Sequence, residues 1–223
     1  MLSRPFKAFS VIFIALPSAN ALWPQPRHLQ TGPPSSALYL ASSDSFTISV
    51  DEVPNAPEDL VAAAQRTHAQ LFSDDLGRLV LGRGIDDLEA ISNAPTLRRL
   101  VLRLDDYHTH TPTNTGSIDI LGSTVDDDAV VQPIEVEARM PLGTRDEGYS
   151  LVVPADGSHA VLRANSTLGL FRGLNTFTQL WFTVQGIVYM LGVPVEIQDS
   201  PVYVRACASS RARDPGRLLT FWR

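Results

Sequence analysis

Strands, a helix, further strands, a second helix and a last strand follow one another along the chain, and that order predicts an α+β fold. Three observations carry the prediction. Leu170, Leu174, Phe177 and Trp181 recur at helical spacing behind Asn165-Ser166-Thr167, and Leu60, Ala64, Thr67 and Leu71 do so behind Pro57-Glu58-Asp59. Period-two alternation marks Arg99 to Leu104 and the segment from Gly148 to Ala164 as strands. The 223 residues are 44% hydrophobic and 19% charged with a net charge of −6, which suits one compact domain and excludes a disordered acidic tail. A chain this acidic lacks the basic face that nucleic acid requires.

Taken in order, the first 21 residues read as a cleaved signal peptide. Arg4 and Lys7 form a positive start, Ala8 to Leu16 a short apolar run, and Ala19-Asn20-Ala21 a small-x-small cleavage site after Ala21. Pro17 interrupts the run well short of the roughly 20 apolar residues that span a bilayer, so no membrane segment is expected in the mature form. Leu22 to Ser36 is rich in Pro, Gly and Ser, and Pro24 and Pro26 bar a helix there. Ala37 to Leu40 and Ser45 to Val50 read as a hairpin or strand pair. Pro57-Glu58-Asp59 supplies a rigid, acidic first turn for a helix reaching Phe72.

Asp74 to Pro95 reads as irregular, and Asp105 to Gln132, with its His-Thr-His-Thr and triple Asp, as a long polar excursion. Pro133 to Glu137 and Tyr149 to Val153 are expected strands. Ala155-Asp156-Gly157-Ser158 is a turn that returns the chain along Ala160 to Ala164, making a hairpin. Asn165-Ser166-Thr167 caps the clearest helix, and Gly169 and Gly173 on a neighbouring face predict close approach of another element. Ile187 to Ile197 is expected as the closing strand.

Tested for chemistry, the residues give little. Gly77-x4-Gly82-Arg83 lacks the Lys and Ser/Thr of a phosphate loop. Gly82-Arg83-Gly84 lacks the third glycine of a dinucleotide fingerprint and no βαβ unit is expected around it. His108 and His110 read as solvated loop residues rather than metal ligands, and one cysteine, Cys207, excludes a disulfide framework or a Cys-based zinc site. The acid runs Asp86-Asp87, Asp105-Asp106, Asp126-Asp127-Asp128 and Asp146-Glu147 read as solvated, since adjacent carboxylates point apart. Paired-carboxylate catalysis needs two such groups in one pocket at a set separation. No Gly-x-Ser-x-Gly elbow occurs. Catalytic, substrate-binding and metal residues are therefore all expected to be none, and no cofactor is expected. Asn165-Ser166-Thr167 is the one N-glycosylation sequon, and Asn165 serves equally well as glycan acceptor, as helix cap, or as both.

A set of segments does resemble a known family. Leu22-Trp23-Pro24-Gln25-Pro26, the strand Glu147 to Val153, the helix start Ala164 to Leu174, Thr178-Gln179-Leu180 and Ile197-Gln198-Asp199-Ser200-Pro201 look like the N-terminal domain of secreted fungal β-N-acetylhexosaminidases of glycoside hydrolase family 20. The similarity runs from Leu22 to Tyr203. It implies a zincin-like α+β unit, a mixed β-sheet backed by two helices, packed against a TIM barrel that removes terminal N-acetylglucosamine or N-acetylgalactosamine. In the family the Asp-Ser-Pro linker leads to a Tyr-Arg-Gly segment and then to a barrel. There an Asp orients the substrate's acetamido group, whose oxygen attacks the anomeric carbon, and the adjacent Glu is the general acid.

This chain departs at that point, with Tyr203-Val204-Arg205-Ala206-Cys207 in place of the family text. Residues 205 to 223 hold five arginines against one acid, Asp214, while the remainder of the chain is acidic. Residues 204–223 are thus expected to be an aberrant tail, from a frameshift, retained intron or exon error, standing where the barrel begins. The expected organisation is a signal peptide over 1–21, the hexosaminidase N-terminal domain over 22–203 and the tail over 204–223. The expected function is the non-catalytic N-terminal part of a β-N-acetylhexosaminidase, secreted, inactive alone and truncated before the Asp-Glu pair. Its partner would be the catalytic barrel, with glycans met only through the parent enzyme. The alternative is a free-standing secreted module that binds a hexosaminidase barrel or a glycan without cleaving it.

Overall fold

The computed structural model describes residues 22–73, 83–105 and 131–200. The chain enters through β1 (His28–Thr31), β2 (Ala37–Leu40) and β3 (Thr47–Glu52), then forms α1 (Glu58–Ser73). Glu58 and Asp59 sit in the first turn of α1, where carboxylates complement the helix dipole, and Leu60, Ala64, Thr67 and Leu71 are all buried as their spacing requires. A 3₁₀ turn at Ile85–Asp87 leads into a one-turn helix α2 (Leu88–Ser92), followed by β4 (Thr96–Leu97) and β5 (Arg99–Leu104). Next come α3 (Ile134–Arg139), β6 (Tyr149–Val153), β7 (Ala160–Ala164) and α4 (Thr167–Gln179), and then β8 (Phe182–Val184), β9 (Ile187–Leu191) and β10 (Val195–Asp199).

The strands form two sheets. The larger is mixed, in the order β1-β10-β6-β7-β5-β3, and the smaller runs β4-β2-β9-β8. Leu100, Leu102, Leu151, Val153, Leu162, Val195 and Ile197 point from one face of the larger sheet into a single core. That core is closed by α1 and α4, whose Leu60, Leu71, Leu170, Leu174 and Phe177 are buried within it, so the expected sheet backed by two helices is present and the α+β class holds. The smaller sheet is where alternation shows most plainly: Leu38, Leu40, Val188 and Met190 face the main core, while Tyr39, Tyr189 and Leu191 face a second cluster with Ile91 of α2.

Several segments differ from expectation. Ala37–Leu40 and Thr47–Glu52 are strands but do not pair. A turn in which Ser45 and Phe46 both donate to the Ser42 carbonyl redirects the chain, and buried Phe46 anchors it, so the two strands enter different sheets. The segment 83–95 is not irregular throughout, since α2 forms there. Pro133 to Glu137 is helical rather than extended: Glu135 and Glu137 in the first turn and Arg139 in the last favour α3, and Glu135 pairs with Arg139 four residues on. Ile187 to Ile197 is two strands in two sheets, because Gly192 (φ 75°) and Pro194 interrupt the run and Pro offers no donor to a ladder. β8 and its hairpin with β9 also escaped the pattern. Gln185 (φ 50°) and Gly186 (φ 78°) give that hairpin a two-residue turn with both central residues left-handed.

The expected hairpin at Gly148 to Ala164 is there, with Tyr149 opposite Ala164 and Leu151 opposite Leu162. Its turn holds Gly157 at φ 78°, and Asp156 Oδ1 accepts the Ser158 N–H at 2.9 Å. Gly169 and Gly173 do face the sheet, and a Cβ at Gly173 would lie 2.2 Å from Leu162 Cδ1. β3, α1 and β5 also make a βαβ unit, with β3 and β5 parallel neighbours, contrary to expectation. Gly84 lies after the helix of that unit, whereas the glycine-rich loop of a dinucleotide-binding unit precedes its helix. Among the described residues no helix is long and apolar enough to cross a membrane.

Candidate functional site

A buried polar cluster joins the 3₁₀ turn to the smaller sheet. Gly84-Ile85-Asp86-Asp87 closes tightly, with the Gly84 N–H donating to Asp87 Oδ2 at 3.1 Å, and this turns Asp87 inward while Ile85 is 76% exposed. Tyr189, on the outward face of β9 and covered by α2, donates its hydroxyl hydrogen to Asp87 Oδ2 at 2.7 Å and accepts the Gly84 N–H at 3.0 Å. Arg83 Nη1 lies 3.5 Å from Asp87 Oδ1, and its guanidinium stands 5.8 Å from the Phe182 ring centroid. Burial, reinforced by the hydrogen bond to Asp87, pushes the Tyr189 hydroxyl up to about 12. At neutral pH that phenol stays protonated, and both Asp87 side-chain oxygens have donors within reach. The cluster therefore ties the turn before α2 to the smaller sheet.

Beside it lies an open cleft of about 630 Å³. Arg83, Asp86, Asp87, Glu89 and Asn93 line it together with Leu191. Among the described residues no three His, Cys, Asp or Glu side chains gather closely enough to hold a metal ion.

A second polar cluster surrounds the N-terminus of α4. Ser166, with extended backbone, is the cap: its Oγ accepts the Gly169 N–H at 2.8 Å and donates to the Asp146 carbonyl. Glu137 of α3 reaches across, and its Oε2 accepts the Leu168 N–H at 2.6 Å and lies 3.0 Å from Thr167 Oγ1. Burial raises the Glu137 carboxyl above its ordinary 4.5, although these hydrogen bonds oppose the shift. Asp146 Oδ2 accepts from Asn165 Nδ2 at 3.1 Å, and its Oδ1 accepts the Gly148 N–H at 3.0 Å. On the next face of the sheet end, Tyr149 and Thr176 hydroxyls bond at 2.6 Å, and burial raises the Tyr149 hydroxyl.

Matched against families of known proteins, residues 22–180 fit the model described as beta-acetyl hexosaminidase like. The chain belongs to this family. Among solved structures, the hexosaminidase-like chain is similar to the chitobiase of Flavobacterium johnsoniae at 18% identity and a TM-score of 0.44, covering 82% of this chain and 21% of that one. It is similar also to an inactive variant of a family 20 exo-β-N-acetylglucosaminidase from Vibrio harveyi at 14% identity and a TM-score of 0.42, covering 90% and 22%. The chain thus spans about a fifth of the length of these proteins. No curated protein sequence matches it.

Of the residues singled out in the sequence of this hexosaminidase-like chain, Asn165 is exposed and sits one residue before the cap, so Ser166 and not Asn165 caps α4. Asp87 is buried rather than solvated, Asp105 pairs with Arg163 at 3.3 Å, and Glu147 pairs with Arg172 at 2.8 Å. These acids hold elements together because each lies within reach of a basic or donor group from a distant segment. Ala21, His108, His110, Gly77, Gly82, Asp106, Asp126 to Asp128 and Cys207 lie outside the described residues.

The sequence did not reveal the Asp87–Tyr189 bond or the Glu137 bridge. A glycine three residues before Asp87 is a faint local sign of an inward-turned acid. Nothing local signals Tyr189, which lies 102 residues from its partner.

Proposed function

We propose that this chain is the non-catalytic N-terminal part of a secreted β-N-acetylhexosaminidase, a hydrolase that releases terminal N-acetylhexosamine residues from glycans. Its work is to support a catalytic barrel. The observation that carries this reading is the family match over residues 22–180. Two features support the structural role: the polar clusters at Asp87 and Glu137 are consumed by contacts within the fold, and Trp23 is turned outward. That indole is 83% exposed, while Gln179 holds the Trp23 backbone from both sides, accepting its N–H at 2.7 Å and donating to its carbonyl at 2.9 Å. An exposed aromatic side chain on an anchored stretch of backbone suits burial against a further domain.

Secretion belongs to the reading, on the strength of Arg4, Lys7, the apolar run and the Ala19-Asn20-Ala21 site, with the mature domain over 22–203 and a foreign tail over 204–223. The test is the full-length transcript from codon 195 onward. In-frame continuation from Asp199-Ser200-Pro201 into a barrel carrying an adjacent Asp-Glu pair is the expected result. A transcript that confirms residues 204–223 and then stops overturns it and leaves the free-standing binding module, to be assayed for chitin-oligosaccharide binding.

A further inference from the structure

The two ends of the sequon Asn165-Ser166-Thr167 lie in opposite environments. Asn165 is exposed, its Nδ2 donating to Asp146 Oδ2 at 3.1 Å. Thr167 has no exposed surface at all. Its hydroxyl lies 2.7 Å from the Gln132 carbonyl and 3.0 Å from Glu137 Oε2, under the start of α3. Ser166 between them is buried, its hydroxyl committed to the Gly169 N–H and the Asp146 carbonyl. An enzyme that recognises Asn-x-Ser/Thr has to reach the hydroxyl as well as the amide, and here the hydroxyl is sealed.

We infer that Asn165 is an N-glycan attachment site that accepts its glycan only before α3 packs over the start of α4, so that folding itself closes the site. The inference rests on the secretory reading and adds the order of modification and folding. In the transfer step the Asn165 amide nitrogen attacks the anomeric carbon of an oligosaccharide carried on a lipid diphosphate. The N–C bond forms, the C–O bond to diphosphate breaks, and one amide proton is released. A glycan already in place is compatible with the closed fold, because the substituted amide keeps one N–H for Asp146 and faces solvent. Opening the sequon afterwards requires undoing the Glu137 and Gln132 contacts, a local unfolding whose free energy protects the site.

The test uses the unglycosylated full chain, purified oligosaccharyltransferase and a lipid-diphosphate chitobiose donor. One sample is folded beforehand and the other is diluted from urea directly into the reaction, with Asn165→Gln as the control. Expected is a mass increase in the diluted sample, absent from Asn165→Gln, at a rate at least about tenfold above that of the folded sample. Equal rates overturn closure by folding, and no modification in either sample overturns the site. Translocation into microsomes with loss of residues 1–21 is scored separately, so a failure of the secretory reading is distinguishable from a failure of this inference.

Discussion

Replacing Gly169 by Ala sets two opposing effects against each other, and their sum has a definite sign. In the interior of an exposed helix the change stabilises, by about 1 kcal/mol, because glycine has more conformational freedom to lose. At Gly169, however, the added Cβ would stand 2.4 Å from the Gly148 carbonyl oxygen and 2.9 Å from Ala164 Cβ. Ordinary contact begins near 3.5 Å, so a gap of roughly 1 Å has to open. One neighbour is backbone and the other is bonded to it, which leaves relief only by lifting α4 from β6 and β7. That movement loosens Leu170, Leu174 and Phe177, all buried in the main core. Overpacking costs about 1–3 kcal/mol, and displacement of backbone puts this site at the upper end. Net destabilisation of about 2 kcal/mol is expected, or a fall of roughly 4–8 °C in Tm for a chain of this size. Thermal and urea unfolding followed by circular dichroism measure it. An unchanged or raised midpoint would refute the close packing of α4 on the sheet.

Four further outcomes follow from the same contacts. Asp87→Ala strips the buried Tyr189 hydroxyl of its acceptor and is expected to cost about 1–3 kcal/mol in urea unfolding, whereas Asp86→Ala, in the same turn but exposed, stays within about 0.5 kcal/mol. Tyrosinate absorbance should show one phenol, lost in Tyr189→Phe, that ionises only near pH 12, where the folded protein survives; its ionisation together with the exposed tyrosines sinks the buried bond. Glu137 binds its proton more tightly folded than unfolded, so its contribution to stability falls as pH rises above 4.5 through the raised folded value. Glu137→Gln keeps an acceptor and removes the charge, so its stability relative to the parent should improve from pH 4.5 towards 7, and parallel pH curves would contradict the assignment. Ser166→Ala removes the cap of α4 and should cost about 1 kcal/mol, while Asn165→Ala, before the cap, costs less; the reverse order would assign the cap to Asn165.

How far the fold was legible depended on whether its cause was local. The stripe at Leu170, Leu174 and Phe177 and the acidic start of α1 are properties of consecutive residues, and both helices stand where that pattern puts them, although α4 ends at Gln179 and the last member of its expected stripe, Trp181, lies just beyond it. The hairpin from Gly148 to Ala164 was equally readable, because its strands, turn and register are set within seventeen residues. By contrast, Pro133 to Glu137 alternates like a strand but lies across the start of α4, where Glu137 finds the Leu168 N–H.

The sequence by itself determined the α+β class, both main helices and the hexosaminidase-like character. These rest on periodicity, residue type and short segments in a fixed order. Only the tertiary structure decided that the strands divide between two sheets, that Ser166 rather than Asn165 caps α4, that Asp87 is buried against Tyr189, and that Thr167 is sealed while Asn165 remains open. Each of those depends on residues between one turn and more than a hundred positions apart meeting in space, and the free energy of such a meeting is written in no single stretch of the chain.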